Sequence, residues 1–302
     1  MPKEFTHWML AERTLAGLDV NSRLHELLRT HHALYLTGAV LPDTLLHIFY
    51  GPHSPAALRL AQQFHDTSGN SFAPLIRYEQ ADRDELTPPR LACVLGVISH
   101  MLADIVFHPF VYYHGGGQDM GRHYRTETAI DLYFIRQGAI PPLQHLKSLL
   151  NREKTGETVA VCARIFDPDH LLPIQSHEQG LALHSRIQGM YCSGFWNRVA
   201  RLLALLPVPL FKQAQHLFYR VVAAGDDALF FADAWRHPVS GDPRSQSLDE
   251  LAETAVERTL TLFRRIEESG SLAAALTEMP GENLLTGLHG VTQSAMQHFR
   301  EP

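Results

Sequence analysis

Cysteine is scarce in this chain. Cys93, Cys162 and Cys192 lie far apart, form no Cys-x-x-Cys pair and are odd in number. That excludes a disulfide framework or a thiolate zinc knuckle, and it predicts buried free thiols in a reducing compartment. Alternation of apolar and polar residues is almost absent, which removes the signature of half-buried strands. No Gly-x-Ser-x-Gly, His-Glu-x-x-His, Walker loop or Gly-x-Gly-x-x-Gly opening a helix occurs, so the usual marks of serine hydrolases, zinc proteases, P-loop enzymes and dinucleotide enzymes are missing. His114-Gly115-Gly116-Gly117 has the letters of a lipase oxyanion loop without the strands that would surround one, and reads as a loop. Positive charge is also short: 26 Lys and Arg against 32 Asp and Glu give a net charge of -6. Such a chain has no basic field for nucleic-acid backbones, which leaves nucleic acid only as a possible substrate. The opening MPKEFTHWML has no apolar core or cleavage site of a signal peptide. The longest apolar run, Leu202 to Phe211, is too short to span a bilayer and is broken by Pro207 and Pro209. The expectation is a cytoplasmic protein with no transmembrane segment.

What the chain has in excess is histidine, 19 residues of 302. Apolar residues make up 45%, enough for a large core. Apolar positions recur at three and four, as in Leu91-x-x-Val94-Leu95-x-Val97-Ile98-x-x-Met101-Leu102, and breakers such as Gly38 to Pro42, Gly51 to Pro55, Thr87-Pro88-Pro89, Gly115 to Gly117 and Pro141-Pro142 separate the periodic stretches. The pattern predicts an all-α protein of about ten helices. Residues 1–140 are expected to form a metal-binding helical core, and 141–302 a helical C-terminal part packed on the same domain. Pro89 suits the first turn of a helix from about Arg90 to Phe107, and Pro109 disfavours helical geometry at His108, which places His108 at a helix exit. The amphipathic stretch Leu248 to Glu268 predicts a further helix.

The strongest chemical segment is His100-Met101-Leu102-Ala103-Asp104-Ile105-Val106-Phe107-His108. Its three polar groups leave one face a turn apart and are embedded in apolar residues, where ionisable groups are costly unless they pair or hold a metal. The competing reading is a hydrogen-bonded His-Asp pair in a helical core. His123 and Glu127 repeat the i, i+4 spacing, which also suits a solvated salt bridge. The glycine-rich Tyr112 to Gly121 would let the second helix fold back so that both edges face one cavity. His7 opens an amphipathic helix. Asp43 follows a rigid turn, where it serves equally as an N-cap. His65 ends a helix, where it also suits the helix dipole, and His47 and His53 stand between it and Asp43.

In this order, Thr6-His7-Trp8, Gly38 to Asp43, Phe64-His65-Asp66, His100-x-x-x-Asp104, His108-Pro109 and His123-x-x-x-Glu127, the set resembles the bacterial zinc-dependent phospholipase C family. That family is a multi-helical bundle related to the zinc single-strand nucleases. The resemblance covers about the first 135 residues. It implies two to three zinc ions: His65, His100, Asp104 and Asp43 around the first, His108, His123 and Glu127 around the second, and His7 with a bridging Asp104 at the third. It further implies phosphodiester hydrolysis by metal-activated water, with Asp43 as ligand and proton acceptor, on a small phosphoester or phospholipid. The rival readings are a nuclease or nucleotidase-like zinc hydrolase and a non-catalytic helical binding protein with a structural metal.

Overall fold

A computed structural model describes residues 3–81, 83–117, 119–138, 145–219 and 234–301. It is all-α, as the periodicity predicts, and 69% helical. The helices are α1 (Glu4–Ala16), α2 (Arg23–Thr30), α3 (His32–Gly38), α4 (Ser54–His65), α5 (Ala73–Ala81), α6 (Pro88–Gly115), α7 (Met120–Arg136), α8 (Leu146–Leu149), α9 (Arg152–Phe166), α10 (Ile174–Tyr191), α11 (Gly194–Leu203), α12 (Pro209–Ala214), α13 (Leu248–Ser269) and α14 (Leu272–Thr277). Asp43 lies on a 3-10 turn, Leu41–His47, between α3 and α4. The extended pairing among the described residues is a two-residue antiparallel ribbon, Trp235–Arg236 with Pro243–Arg244. The Pro141-Pro142 breaker and the boundary near 140 lie outside the described residues.

Helix α6 is the axis of the molecule. Its residues are apolar on every side, so it must be enclosed rather than laid on a surface. By length and composition it would cross a membrane, but 94% of its apolar window is buried inside the protein. It is packed by α1, α3, α7, α9 and α13. Helix α13 begins with a capping box between Ser247 and Glu250 and stops at Gly270, close to the predicted span.

The predicted end of α6 at Phe107 is overturned. The helix runs through Pro109 to Gly115, so His108 sits inside it, not at its exit. Proline removes one hydrogen-bond donor, the one that would meet the Ile105 carbonyl. Gly287, with φ +66, fills that notch; a Cβ there would stand 2.7 Å from the Ile105 oxygen and 3.2 Å from Pro109 Cγ. Continuing the helix also buries Phe107, Phe110 and Val111 almost completely, and this tertiary gain outweighs a local preference. The connection to α7 correspondingly shortens to the stretch between Gly115 and Met120, in which Gly116 has a positive φ, and α7 does fold back along α6.

Two close approaches position the helices that carry histidines. Helices α3 and α6 cross at Gly38 and Gly96: a Cβ on Gly96 would overlap the Tyr35 carbonyl oxygen and stand 2.7 Å from the Ala39 nitrogen, and one on Gly38 would overlap the Cys93 oxygen. The N-terminus of α1 is capped from another helix. Asp131 of α7 accepts from the amides of Phe5 (3.2 Å) and Thr6 (3.0 Å), from the Thr6 hydroxyl and from Tyr219 (2.8 Å), satisfying donors that a helix start leaves unpaired.

Candidate metal centre

Five predicted residues converge at the middle of α6. His100 and Asp104 come from α6 itself, His7 from the first turn of α1, His65 from the last turn of α4, and Asp43 from the 3-10 turn. His100 Nε2 lies 3.1 Å from Asp104 Oδ2, His7 Nε2 3.5 Å from Asp104 Oδ1, and His65 Nε2 3.5 Å from Asp43 Oδ1 and 3.9 Å from Asp104 Oδ2. The His7 and His100 rings stack at 4.0 Å. Two overlapping triads result, His7–His100–Asp104 and Asp43–His65–His100, with ligand atoms no more than 4.8 Å apart.

Backbone carbonyls orient the imidazoles. His100 Nδ1–H donates to Ala39 O (2.9 Å), His65 Nδ1–H to Ala61 O (2.8 Å) and His108 Nδ1–H to Leu284 O (2.6 Å). A carbonyl only accepts, so each Nδ1 carries the proton and each neutral ring keeps a bare Nε2. In His65 and His100 that bare nitrogen faces carboxylate oxygens. Lone pair opposes lone pair unless a cation stands between them, and these atoms have no hydrogen-bond partner although buried: His65 Nε2, His100 Nε2, Asp43 Oδ1, both Asp104 oxygens and both His7 nitrogens. Orphaned polar atoms in such number are rare in a folded interior. Tetrahedral zinc with nitrogen and oxygen ligands sets ligand atoms about 3.4 Å apart, close to the observed spacings, and two carboxylates match a divalent charge. The residues fit zinc.

Protonation follows the same logic. Burial, with His100 beside it, holds His7 well below its ordinary value. Burial also lowers His100, but Asp104 and Asp43 outweigh that and raise it. Burial pushes the Asp104 carboxyl up against the pull of His100, whereas for Asp43 the desolvation is overcome by His100 and His65, which hold it low. Any proton held by these imidazole nitrogens must leave before they can bind zinc. Binding is expected to release protons, so affinity should climb as pH rises. Titration calorimetry in buffers of different ionisation heat measures this; a heat independent of the buffer would remove the proton from the centre.

The remaining predicted ligands are arranged differently. His108 reaches Asp104 with Nδ1 at 3.9 Å from Oδ2, the nitrogen already engaged by Leu284. His123 and Glu127 pair with each other at 2.7 Å along α7, and the Tyr112 ring stands 5.8 Å from the His108 ring and 4.9 Å from the His123 ring. Among the described residues neither triad within one ion's reach includes His108, His123 or Glu127. His47, the rival of His65, donates from Nδ1 to the Asp43 carbonyl and stacks on His184 at 4.1 Å; it is His65 that faces the Asp43 carboxylate. Trp8, Tyr112 and Phe134 are core residues.

The C-terminal segment buttresses this centre. Besides the Leu284 carbonyl on His108, Asn283 donates to Asp66 Oδ1 (2.8 Å) and Thr67 O (2.9 Å) and accepts from the amides of Leu285 and Thr286. Asp66 adjoins His65. No spacing rule could have found a main-chain carbonyl contributed from 176 residues away. Asn283→Ala should leave several buried groups unsatisfied, costing about 2–4 kcal/mol, and loosen zinc binding roughly 10–100-fold. Urea unfolding with and without zinc, together with a competitive chelator titration, checks both figures; unchanged affinity would reduce the segment to scaffolding.

The family model described as zinc dependent phospholipase C matches residues 6–171, which contain all the residues of the two triads. No curated protein and no solved structure matches the chain.

Proposed function

The chain belongs to the zinc-dependent phospholipase C family, and from that premise we propose that it is a zinc hydrolase cleaving a phosphodiester bond of a phospholipid. The observation that carries the reading is the set of bare imidazole nitrogens facing partnerless carboxylate oxygens in a buried centre. Asp43, His65, His100 and Asp104 would hold one ion, and His7 with Asp104 a neighbouring one; His108, His123 and Glu127 are assigned to a further position. The chemistry that zinc supplies when bound is neutralisation of phosphoryl charge and acidification of water toward neutral pH. The chain's own part is orientation and proton handling. Ala39, Ala61 and Leu284 fix the ring tautomers. Asp43, ionised and with Oδ1 lacking a hydrogen-bond partner, is assigned the proton lost by the attacking water.

The test is metal analysis of protein purified without chelator, followed by turnover of p-nitrophenyl phosphorylcholine, bis-p-nitrophenyl phosphate and single-stranded DNA. Chelator-sensitive turnover of the choline ester supports the reading. Bound zinc without turnover of any of the three would make the metal structural. Asp43→Asn should lower turnover about 10²–10³-fold: zinc retained assigns proton acceptance, zinc lost assigns ligation, and full activity removes Asp43 from both roles.

A further inference from the structure

Helix α11 is built inside out. Its apolar residues segregate to one face as in a helix that packs on a core, but its one buried residue is Asn197, while Phe195 (66% exposed), Trp196 (40%), Leu202 (66%) and Leu203 face outward. The exposure continues through Leu205 (81%), Leu206, Val208 and Leu210. Half of the large apolar side chains exposed among the described residues thus fall between Phe195 and Leu210. A patch of this extent marks an interaction surface.

Its charge is equally segregated. Between Glu178 and Asp226 the sequence has no acidic residue but holds Arg186, Arg198, Arg201, Lys212 and Arg220, in a chain of net charge -6. Arg198, Arg201 and Lys212 are exposed beside the apolar side chains. Large apolar groups interleaved with cations, on an element with no anion, complement an anionic lipid surface: the apolar face enters the acyl boundary and the cations meet the headgroups. A second copy of the chain is a poorer occupant, because a two-fold contact would set the same cations against each other.

The patch is fastened to the metal centre's surroundings. Helix α12 packs on α7, and the turn after it, Gln215–Leu217, accepts a hydrogen bond from Thr128, the neighbour of Glu127, at His216 O (2.8 Å) and one from Lys3 at Leu217 O (2.7 Å). We infer that residues 194–212 dock the protein on an anionic bilayer and set α7, with His123 and Glu127, close to the lipid surface. This names where substrate is drawn from, and it rests on the hydrolase reading only for that step.

Trp8 and Trp235 are buried, so Trp196 is the exposed tryptophan and its emission reports on the patch. With full-length protein, vesicles of phosphatidylcholine containing phosphatidylglycerol should blue-shift the emission and co-sediment the protein, pure phosphatidylcholine much less, and added salt should reverse the binding. Replacing Phe195→Ser, Leu202→Ser and Leu205→Ser together should lower binding at least about 10-fold, and Arg198→Glu with Arg201→Glu by a similar factor. Both variants should turn over water-soluble p-nitrophenyl phosphorylcholine like the parent, since none of these residues belongs to the metal centre. Absence of binding to anionic vesicles would overturn the inference. So would a concentration-dependent dimer abolished by the triple serine variant. If the parent binds vesicles yet turns over no phosphoester, docking stands and the hydrolase reading falls.

Discussion

Asp104→Asn should leave the protein folded and abolish its response to zinc. Asp104 is fully buried, stands within 4 Å of His7, His65, His100 and His108, and has no hydrogen-bond partner for either oxygen. In the proposed arrangement it is the carboxylate that faces both His7 and the His65 and His100 pair. Asparagine has the same shape without the charge, so zinc affinity should fall more than about 100-fold, beyond the loss typical of an outer-shell residue. Stability should divide by metal state. In the parent, saturating zinc is worth about 4 kcal/mol at a thousandfold excess over Kd, roughly 6 °C in melting temperature. The variant should lose that increment. Without metal, however, burial disfavours the Asp104 carboxylate, so the chelated variant should melt at or above the chelated parent. Calorimetry of both proteins in both states tests the pair of signs; a zinc-induced shift retained in the variant would remove Asp104 from the metal.

Gly96→Ala should be among the most damaging single-methyl changes in the chain. The added carbon would meet main-chain atoms of α3, the Tyr35 oxygen and the Ala39 nitrogen, which cannot swing aside as a flexible side chain does. The two helices must part, at a cost of about 3 kcal/mol or more, a large share of the roughly 5–15 kcal/mol that holds a domain folded. The same displacement would pull the Ala39 carbonyl from His100, so zinc affinity should fall with stability. Gly156→Ala is the natural control. It lies exposed in α9 with open space around it, and alanine there should stabilise by about 0.5–1 kcal/mol. Equal effects at both sites, measured by denaturant unfolding, would contradict the close helix crossing.

The fold class could be read from sequence because helical periodicity is local: the spacing around α6 and from Leu248 onward states its own structure. Five members of the centre were legible for a related reason. His100 and Asp104 are a turn apart on one helix, and the order of His7, Asp43 and His65 matches a family pattern covering residues 6–171. The error at His108 came from applying a local rule where a distant one prevails, since Gly287 packs closely against Ile105 O and Pro109 where the helix lacks a donor. The Asp131 cap on α1 was invisible for the same cause. Its donors lie at Phe5 and Thr6, across the sequence and not along it, as do the contacts of Asn283 with Asp66 and Thr67.

The imidazoles of His100, His65 and His108 lean on peptide oxygens, at Ala39, Ala61 and Leu284. Substituting the side chains of those residues leaves the oxygens where they were. The aim of the ring nitrogens is thus stored in the path of the polypeptide, not in the identity of any supporting residue. A scan that swaps side chains one by one would pass over these supports, whereas a proline, an inserted residue or a shifted turn would misdirect the rings with every ligand still in the chain.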